Sequence, residues 1–524
     1  MIHASARIPL AFISSAVCCC SLLASCSKKD HAKPGSSQGT STQTDEDSLK
    51  YLMYRIMQVT FADGGRDKSS SLPTYYWYDQ VPSLNPFSTS YKDADALLDA
   101  MIGYPVNPTT GGNIDRYSFL DRTGQVSDEI QNGVVDATFS GIDNTGSLGM
   151  EATYAVDNNG KSHIVVLYAD KNSPAGKLGI NRGWEILAIN GDTSVSYDGP
   201  DGTNVTNASN AIYGTSAVKF RFLTPDNKTV EYTVSPAEYK VNPILFDTVY
   251  TWNAKKIGYF VFYTFSSTYD NTGKATLTKQ LLDQEFNKLK SAGISDLIVD
   301  LRYNGGGSVL TAEYLDSAMA PASAAGQLMY QYYYNDKLTK QTSLLGLESK
   351  VYFPGGGGLN LDNVFFIVSR STASASELTI NNLKPYMQVK LVGDTTFGKP
   401  VGFIDFEISD YDSTGTSHHL ADLYAIDFET KNSRGEGGYF EGIPPDADAI
   451  DYVHYAWGDL QDDNLHQIQN YLQYGSFSRT GTERLSGSRL ANPIPGSIPS
   501  RRFKGMVNYQ LSKKINALMG AKVR

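Results

Sequence analysis

Beyond residue 26 the chain has no cysteine: Cys18, Cys19, Cys20 and Cys26 are the only four among 524 residues. The body therefore offers no disulfide, no thiolate metal site and no thiol nucleophile. Histidine is scarce too, with 7 residues and no His-Glu-x-x-His pattern, which argues against a zinc hydrolase and leaves no cofactor or metal implied. Positive charge is not in excess. The 45 Lys and Arg face 55 Asp and Glu, for a net −10, which argues against a nucleic-acid partner. Apolar runs long enough to span a membrane are missing after the N-terminus, and no internal repeat is visible. What remains is ordinary globular composition, 41% hydrophobic, sufficient for a sizeable core. The length suggests roughly three domains. The 34 tyrosines suit core and rim packing, and secondarily a peptide- or glycan-contacting surface.

The N-terminus reads as an address. Arg7 precedes an apolar stretch from Ile8 to Ala24, and Leu23-Ala24-Ser25-Cys26 follows. A basic start, a short apolar segment and small residues before a cut describe a secretory signal. The cysteine after Leu-Ala-Ser resembles a bacterial lipobox, which implies cleavage before Cys26 and a lipid on its thiol. A transmembrane anchor is the competing reading, but the stretch is shorter than the ~20 residues a spanning helix needs. Residues 26–45, rich in Lys, Ser, Gly, Gln and Thr, read as a flexible tether.

Three patterns follow. Residues 46–145 carry helical stripes: Tyr51, Leu52, Tyr54, Ile56 and Met57; then one beginning at Tyr75-Tyr76-Trp77-Tyr78; then Ala94 to Met101. Residues 146–236 read as short strands and turns around Ser173-Pro174-Ala175-Gly176 and Arg182-Gly183-Trp184-Glu185-Ile186-Leu187-Ala188-Ile189-Asn190-Gly191. Residues 237–475 alternate strands (257–262, 297–301, 364–368) with an amphipathic helix marked by Leu277, Leu281, Leu282, Phe286 and Leu289, as in a layered α/β core. Residues 476–524 are a basic extension, with Arg479, Arg484, Arg489, Arg501, Arg502, Lys504, Lys513, Lys514, Lys522 and Arg524 against Glu483. A solvated tail is the simpler reading; contact with anionic lipid or glycan is the alternative.

The chemistry is concentrated in Thr372-Ala373-Ser374-Ala375-Ser376-Glu377-Leu378, which follows an apolar strand and opens a helix. A small-residue turn there projects a serine hydroxyl beside the free N–H groups of a helix start, which suit an oxyanion. Alone, such a run is usually only a helix cap. It is joined by Thr396-Phe397-Gly398-Lys399 and by Asp300-Leu301-Arg302-Tyr303-Asn304-Gly305-Gly306-Gly307 after a strand. Gly35-Ser36-Ser37-Gln38-Gly39 matches the G-x-S-x-G pattern but lies in the tether, without the strand and helix a nucleophile elbow requires. His418 and His419 are adjacent, so a strand points them to opposite sides; a structural or exposed role is expected.

These three motifs, in this order and spacing, resemble the S41 (carboxyl-terminal-processing, tail-specific) peptidases. The resemblance implies a multidomain α/β fold: a helical N-terminal domain, to which Ile114-Asp115-Arg116-Tyr117-Ser118 adds a landmark, a PDZ-like β-rich domain, and a core similar to crotonase and Clp protease that ends near Gly442-Ile443-Pro444-Pro445-Asp446 and Gly458-Asp459. It implies Ser374 as nucleophile and Lys399 as general base, neutral when it acts and surrounded by Phe397, Val401 and Phe403. The N–H groups of Ala375 and Gly306 are implied as oxyanion donors; for Gly306 a simple tight turn is the alternative. Many relatives place a glutamine four residues after the lysine; here that position is Phe403, and Glu377 is expected to supply the orienting contact. In the PDZ-like part, Ser147, Leu148, Gly149 and Met150 fall where a carboxylate-binding loop would lie. The expected partners are proteins or peptides with exposed C-termini, together with the membrane through the lipid; the expected location is the bacterial cell envelope. A catalytically weak, PDZ-containing peptide-binding lipoprotein is the alternative. Acyl-CoA chemistry on the same kind of core is a third reading, opposed by export.

Overall fold

A computed structural model describes residues 43–60, 84–104, 113, 115–138, 146–355, 358–411, 414–477, 492–494, 498 and 503–514. The signal segment, Cys26, most of the tether, the Tyr75–Tyr78 stripe, Ile114 and most of the basic residues of the extension lie outside them.

The centre is a six-stranded sheet in the order 447–448, 388–393, 363–368, 296–300, 255–262, 244–252. All neighbours are parallel except the last pair, joined by a tight turn at Asn253-Ala254. Its strands are apolar on both faces, as a sheet covered on both sides requires. Phe260, Phe262, Leu297, Val299, Val364 and Phe366 enter one core, while Ile257, Tyr259, Ile298, Phe365 and Ile367 enter another. The alternation follows the period of two of a pleated strand. The expected amphipathic helix is Leu277–Ala292, capped by Thr276, with Leu282, Phe286 and Leu289 buried.

A second sheet runs 306–308, 505–507, 401–411, 417–432, 328–334, 350–352, with Phe119–Asp121 paired to the long strand Ser417–Asn432. The N-terminal region is helical as expected at Gln43–Thr60, Ala94–Gly103 and Gln125–Asn132. Leu49, Leu52, Met53, Ile56, Leu97, Leu98 and Ile130 share the main core with Phe406, Ile408 and Leu423 of the second sheet.

Residues 146–234 build a third sheet, Met150–Val156, Ser162–Ala169, Glu185–Ile189, Val218–Leu223 and Thr229–Val234, with a short helix Pro174–Lys177 and a longer one Thr203–Tyr213. The order of short helix, buried strand and Asn190-Gly191 turn is the one expected. This unit is tied to the centre through Arg182. That side chain donates to Asp451 (2.5 Å), Tyr303 (2.5 Å) and the Tyr455 carbonyl (2.9 Å) and lies over Trp457. Asp451 also accepts from Arg302 at 2.8 Å. Burial works to raise the Asp451 carboxyl, but the flanking guanidinium groups of Arg182 and Arg302 overcome it and hold it well below the usual range.

The described part of the extension departs from the solvated reading. Phe503, Met506, Val507, Tyr509 and Leu511 are buried in the main core, and Gly505–Val507 is a strand of the second sheet.

Candidate active site

The parallel strands Asp296–Asp300 and Asn363–Val368 end side by side, and the two loops leaving their C-terminal ends form the site, as ligand sites in such sheets usually do. The loops are stitched together. Leu301 N–H donates to the Ile367 carbonyl (2.9 Å), Thr372 Oγ1 to the Leu301 carbonyl (2.8 Å), and Ala373 N–H (3.0 Å) and Ser376 Oγ (3.1 Å) to the Asn304 carbonyl. Asn304 thereby locks the glycine loop to the serine corner, with its own amide anchored on the Phe262 carbonyl at 2.9 Å. Sequence reasoning quoted Asn304 within the motif without assigning it this task.

Ser374 stands at the start of helix Ala375–Leu383 with φ 58° and ψ −105°. A side chain bearing Cβ rarely adopts this backbone, and holding it there costs about 1–3 kcal/mol. Strain of this kind marks a nucleophile elbow, where a sharp strand-to-helix turn lifts the hydroxyl clear. Ser374 is 0% exposed, and its Oγ makes no hydrogen bond among the described residues.

Glu377 holds the corner together. Its Oε2 accepts from the backbone N–H of both Ser374 and Lys399, each at 2.8 Å, and its Oε1 accepts from Gly398 N–H (2.7 Å) and Thr396 Oγ1 (2.5 Å). One carboxylate oxygen thus bridges the nucleophile and the lysine through their main chains. Burial pushes the Glu377 carboxyl above its usual range, against the four hydrogen bonds that favour its ionised form. Glu377, expected to orient the lysine, meets Lys399 at its backbone N–H. Thr396, not singled out from the sequence for this, also accepts from Ile443 N–H at 2.7 Å and so ties in the Gly442–Pro445 landmark.

Lys399 is 0% exposed. Its Nζ lies 3.6 Å from the centre of the Phe403 ring and 5.0 Å from that of Tyr117, and donates to the Lys504 carbonyl at 2.6 Å. Of the three apolar neighbours expected, Phe403 is in contact and Val401 is buried in the same core, whereas Phe397 packs edge-on against Tyr117 and under the Lys504 ammonium. Tyr117 belongs to the 115–118 landmark; its hydroxyl donates to the Gly398 carbonyl at 2.7 Å, which fixes the backbone beside the lysine. Below it, the buried Asp115 accepts from Tyr117 N–H, Ser118 N–H and Ser118 Oγ; burial raises its carboxyl while the charge of Lys399 works the other way.

The two expected oxyanion donors differ. Ala375 N–H is the first of its helix and has no intrahelical acceptor. Gly306 N–H is donated to Asn304 Oδ1 at 2.9 Å, so in this conformation it is not offered to a substrate oxygen. Gly306 nonetheless lies against the corner: a Cβ there would stand 3.0 Å from Ala375 N.

Ser147, Leu148, Gly149 and Met150 are all buried and lead into the edge strand Met150–Val156. Gly149 N–H is used within the turn, on the Gly146 carbonyl at 3.0 Å, while Ser147 Oγ has no partner among the described residues. On the long strand, His418 pairs with Asp45 of the helix Gln43–Thr60 and His419 with Asp422, as structural residues do.

The model of Peptidase family S41 matches residues 256–448, which contain all three motifs. Carboxy-terminal processing protease CtpB of Bacillus subtilis is 27% identical over 54% of this chain and 51% of its own length. The chloroplastic C-terminal processing peptidase of Tetradesmus obliquus is 27% identical over 52% and 55%. The chain thus spans about half the length of the curated relatives it matches. A Bacteroides fragilis structure classed with the S41 proteases shares the fold, with TM-score 0.56 at 20% identity over 84% of this chain and 99% of that one. Residues 256–448 are therefore a peptidase family S41 domain, homologous to the carboxy-terminal processing proteases.

Proposed function

We propose that the chain is a serine endopeptidase working through a Ser374–Lys399 dyad on proteins or peptides selected by their C-terminal tails. The observation that carries this is the strained Ser374 corner, bridged to the lysine strand by the single carboxylate Glu377. In the proposed reaction Ser374 Oγ attacks the scissile carbonyl while neutral Lys399 takes its proton and passes it to the leaving amine; water then releases the acyl group by the reverse route. Ala375 N–H stabilises the oxyanion, joined by Gly306 N–H once that group leaves Asn304. Asn304, Glu377 and Tyr117 position these groups.

Residues 146–236 are read as a PDZ-like peptide-binding domain, because an edge strand follows the Ser147–Met150 loop and a helix packs beside it. An extended peptide could add to that edge. The remaining region is read as a helical N-terminal domain, and the centre as a crotonase/Clp-like core. The leader and Cys26 support a lipid-anchored protein of the bacterial cell envelope. A second reading, a weakly catalytic peptide-binding lipoprotein, is favoured by Phe403 in place of the usual glutamine and by the lysine's contact with Lys504. The two separate when purified protein and its Ser374→Ala variant are mixed with envelope extract and new cut sites are read by mass spectrometry. Serine-dependent cuts support the peptidase; identical peptide profiles support the binding protein.

A further inference from the structure

The described parts of the C-terminal extension lie on both places a substrate would use. The first is the edge of the third sheet. Asn492 and Pro493 pair antiparallel with Val156 and Ala155, Ile494 N–H donates to the Tyr154 carbonyl at 2.7 Å, and Ile498 is buried in the same core as Leu148 and Met150. As the extension advances, its partners step back along Met150–Val156 toward the Ser147–Met150 loop. That is the direction in which a peptide would approach the loop with its C-terminal end leading.

The second place is the dyad itself. Gly505, Met506 and Val507 pair in parallel with Gly306, Gly307 and Ser308, while Val507 faces Phe403 on the lysine strand. Gly505 N–H donates to the Gly305 carbonyl at 3.1 Å, and the Lys504 carbonyl accepts from Lys399 Nζ at 2.6 Å. The approach is close enough to demand glycine on both sides. A Cβ on Gly306 would meet the Gly505 carbonyl at 2.5 Å, and one on Gly505 would meet the Phe403 and Phe503 rings at 2.6 and 2.4 Å. With this strand in place both Ser374 and Lys399 are 0% exposed.

We propose that the described parts of the extension, residues 492–494 and 503–508, are built-in occupants of the enzyme's own substrate path, the first on the peptide-binding edge and the second across the dyad, and that the peptidase acts only when they are displaced. The inference rests on the peptidase reading above and adds its regulation. It also defines the substrate the site takes: an extended segment with a small residue opposite Gly306.

The test compares the rate at which a fluorophosphonate labels Ser374 in the full chain and in Gly505→Val, whose added side chain meets the Phe403 and Phe503 rings. If the occupied state excludes reagent, labelling scales with the fraction of open molecules, so the variant should label at least about tenfold faster. A synthetic peptide of residues 501–512 added to the variant should slow it again. Equal rates in two folded proteins, or no effect of the peptide, overturn the proposal while leaving the peptidase reading intact. Absence of Ser374 labelling in every form overturns the peptidase reading instead. Should Gly505→Val fail to fold, hydrogen exchange on the wild type decides. A displaceable occupant exchanges its Met506 and Val507 amides faster than those of the neighbouring strand 401–408, and faster still once Ser374 is labelled. Exchange together with that strand, unchanged by labelling, makes 505–507 an integral strand and defeats the proposal.

Discussion

The serine corner and the C-terminal extension meet at Lys399, yet they are built on opposite principles. In the corner, residues 372–399 hold one another through short, local and charged contacts: one carboxylate accepts four hydrogen bonds, and one asparagine joins two loops. The described part of the extension brings two short strand pairings, at 492–493 and 505–507, each against a partner more than 100 residues away in sequence, and buries Phe503, Met506, Val507, Tyr509 and Leu511 in the main core. The corner is thus fixed by its own chemistry, whereas the described extension is held by backbone pairing and apolar packing. Rigid placement of the proposed reacting groups beside a strand that, on the proposal above, a substrate replaces is what a peptidase that binds extended substrates needs.

The difference is largest in the dyad. Ser374→Ala and Lys399→Ala should each lower turnover by about 10³-fold or more, and the double variant should be little worse, because the two groups act as a unit. Lys399→Arg should be as inactive as Lys399→Ala, since a guanidinium does not give up its proton. Steady-state assays on an unstructured protein substrate measure all four.

Next comes the bridge. Glu377→Gln keeps the shape but places an NH₂ where backbone donors converge, so turnover should fall by about 10²-fold, as expected when reacting groups shift by about an ångström. Substrate KM should change little, which separates a positioning role from a binding one.

Phe403→Leu retains bulk while removing the ring face 3.6 Å from Lys399 Nζ. Loss of an ammonium–ring contact is worth about 0.5–2 kcal/mol. Because the ring face favours the protonated lysine, the rise of activity with pH should begin lower in this variant. An unchanged pH profile would assign Phe403 to packing alone.

The smallest effect concerns the joint between the third sheet and the centre. Asp451 is held well below the usual carboxylate range, so its contribution to stability is fully present above its unfolded pKa of about 3.9 and fades as pH falls toward the folded value. Melting temperatures from pH 6 down to pH 3 should decline more steeply in wild type than in Asp451→Asn.

The corner was legible because its chemistry is local in sequence: a small-residue turn, a lysine at family spacing and a glycine loop announce themselves within a few residues each. Even there, the acceptor for Gly306 N–H was not. It is the side chain of Asn304 two positions earlier, a turn that no spacing rule separates from an open donor. Glu377 is expected from the sequence to orient the lysine, and its contact with the Lys399 N–H is one that a sequence does not display. The helices at 43–60 and 94–103 were readable from their periodicity, whereas their place in the same core as Phe406, Ile408 and Leu423 was not, since an apolar stripe does not name what it packs on. The extension misled for a physical reason: its ten basic residues dominate composition, while strand segments of two or three residues are too short to show a period of two.

The most direct test is intact-mass and peptide mapping after prolonged treatment with a fluorophosphonate, on wild type, Ser374→Ala and Lys399→Arg, each also carrying Gly505→Val so that the dyad is open. A single adduct on Ser374 in the Gly505→Val background, absent from Ser374→Ala and strongly slowed in Lys399→Arg, is the expected result. An adduct on another serine, or labelling of Ser374 at full rate in Lys399→Arg, would contradict the assignment of the dyad.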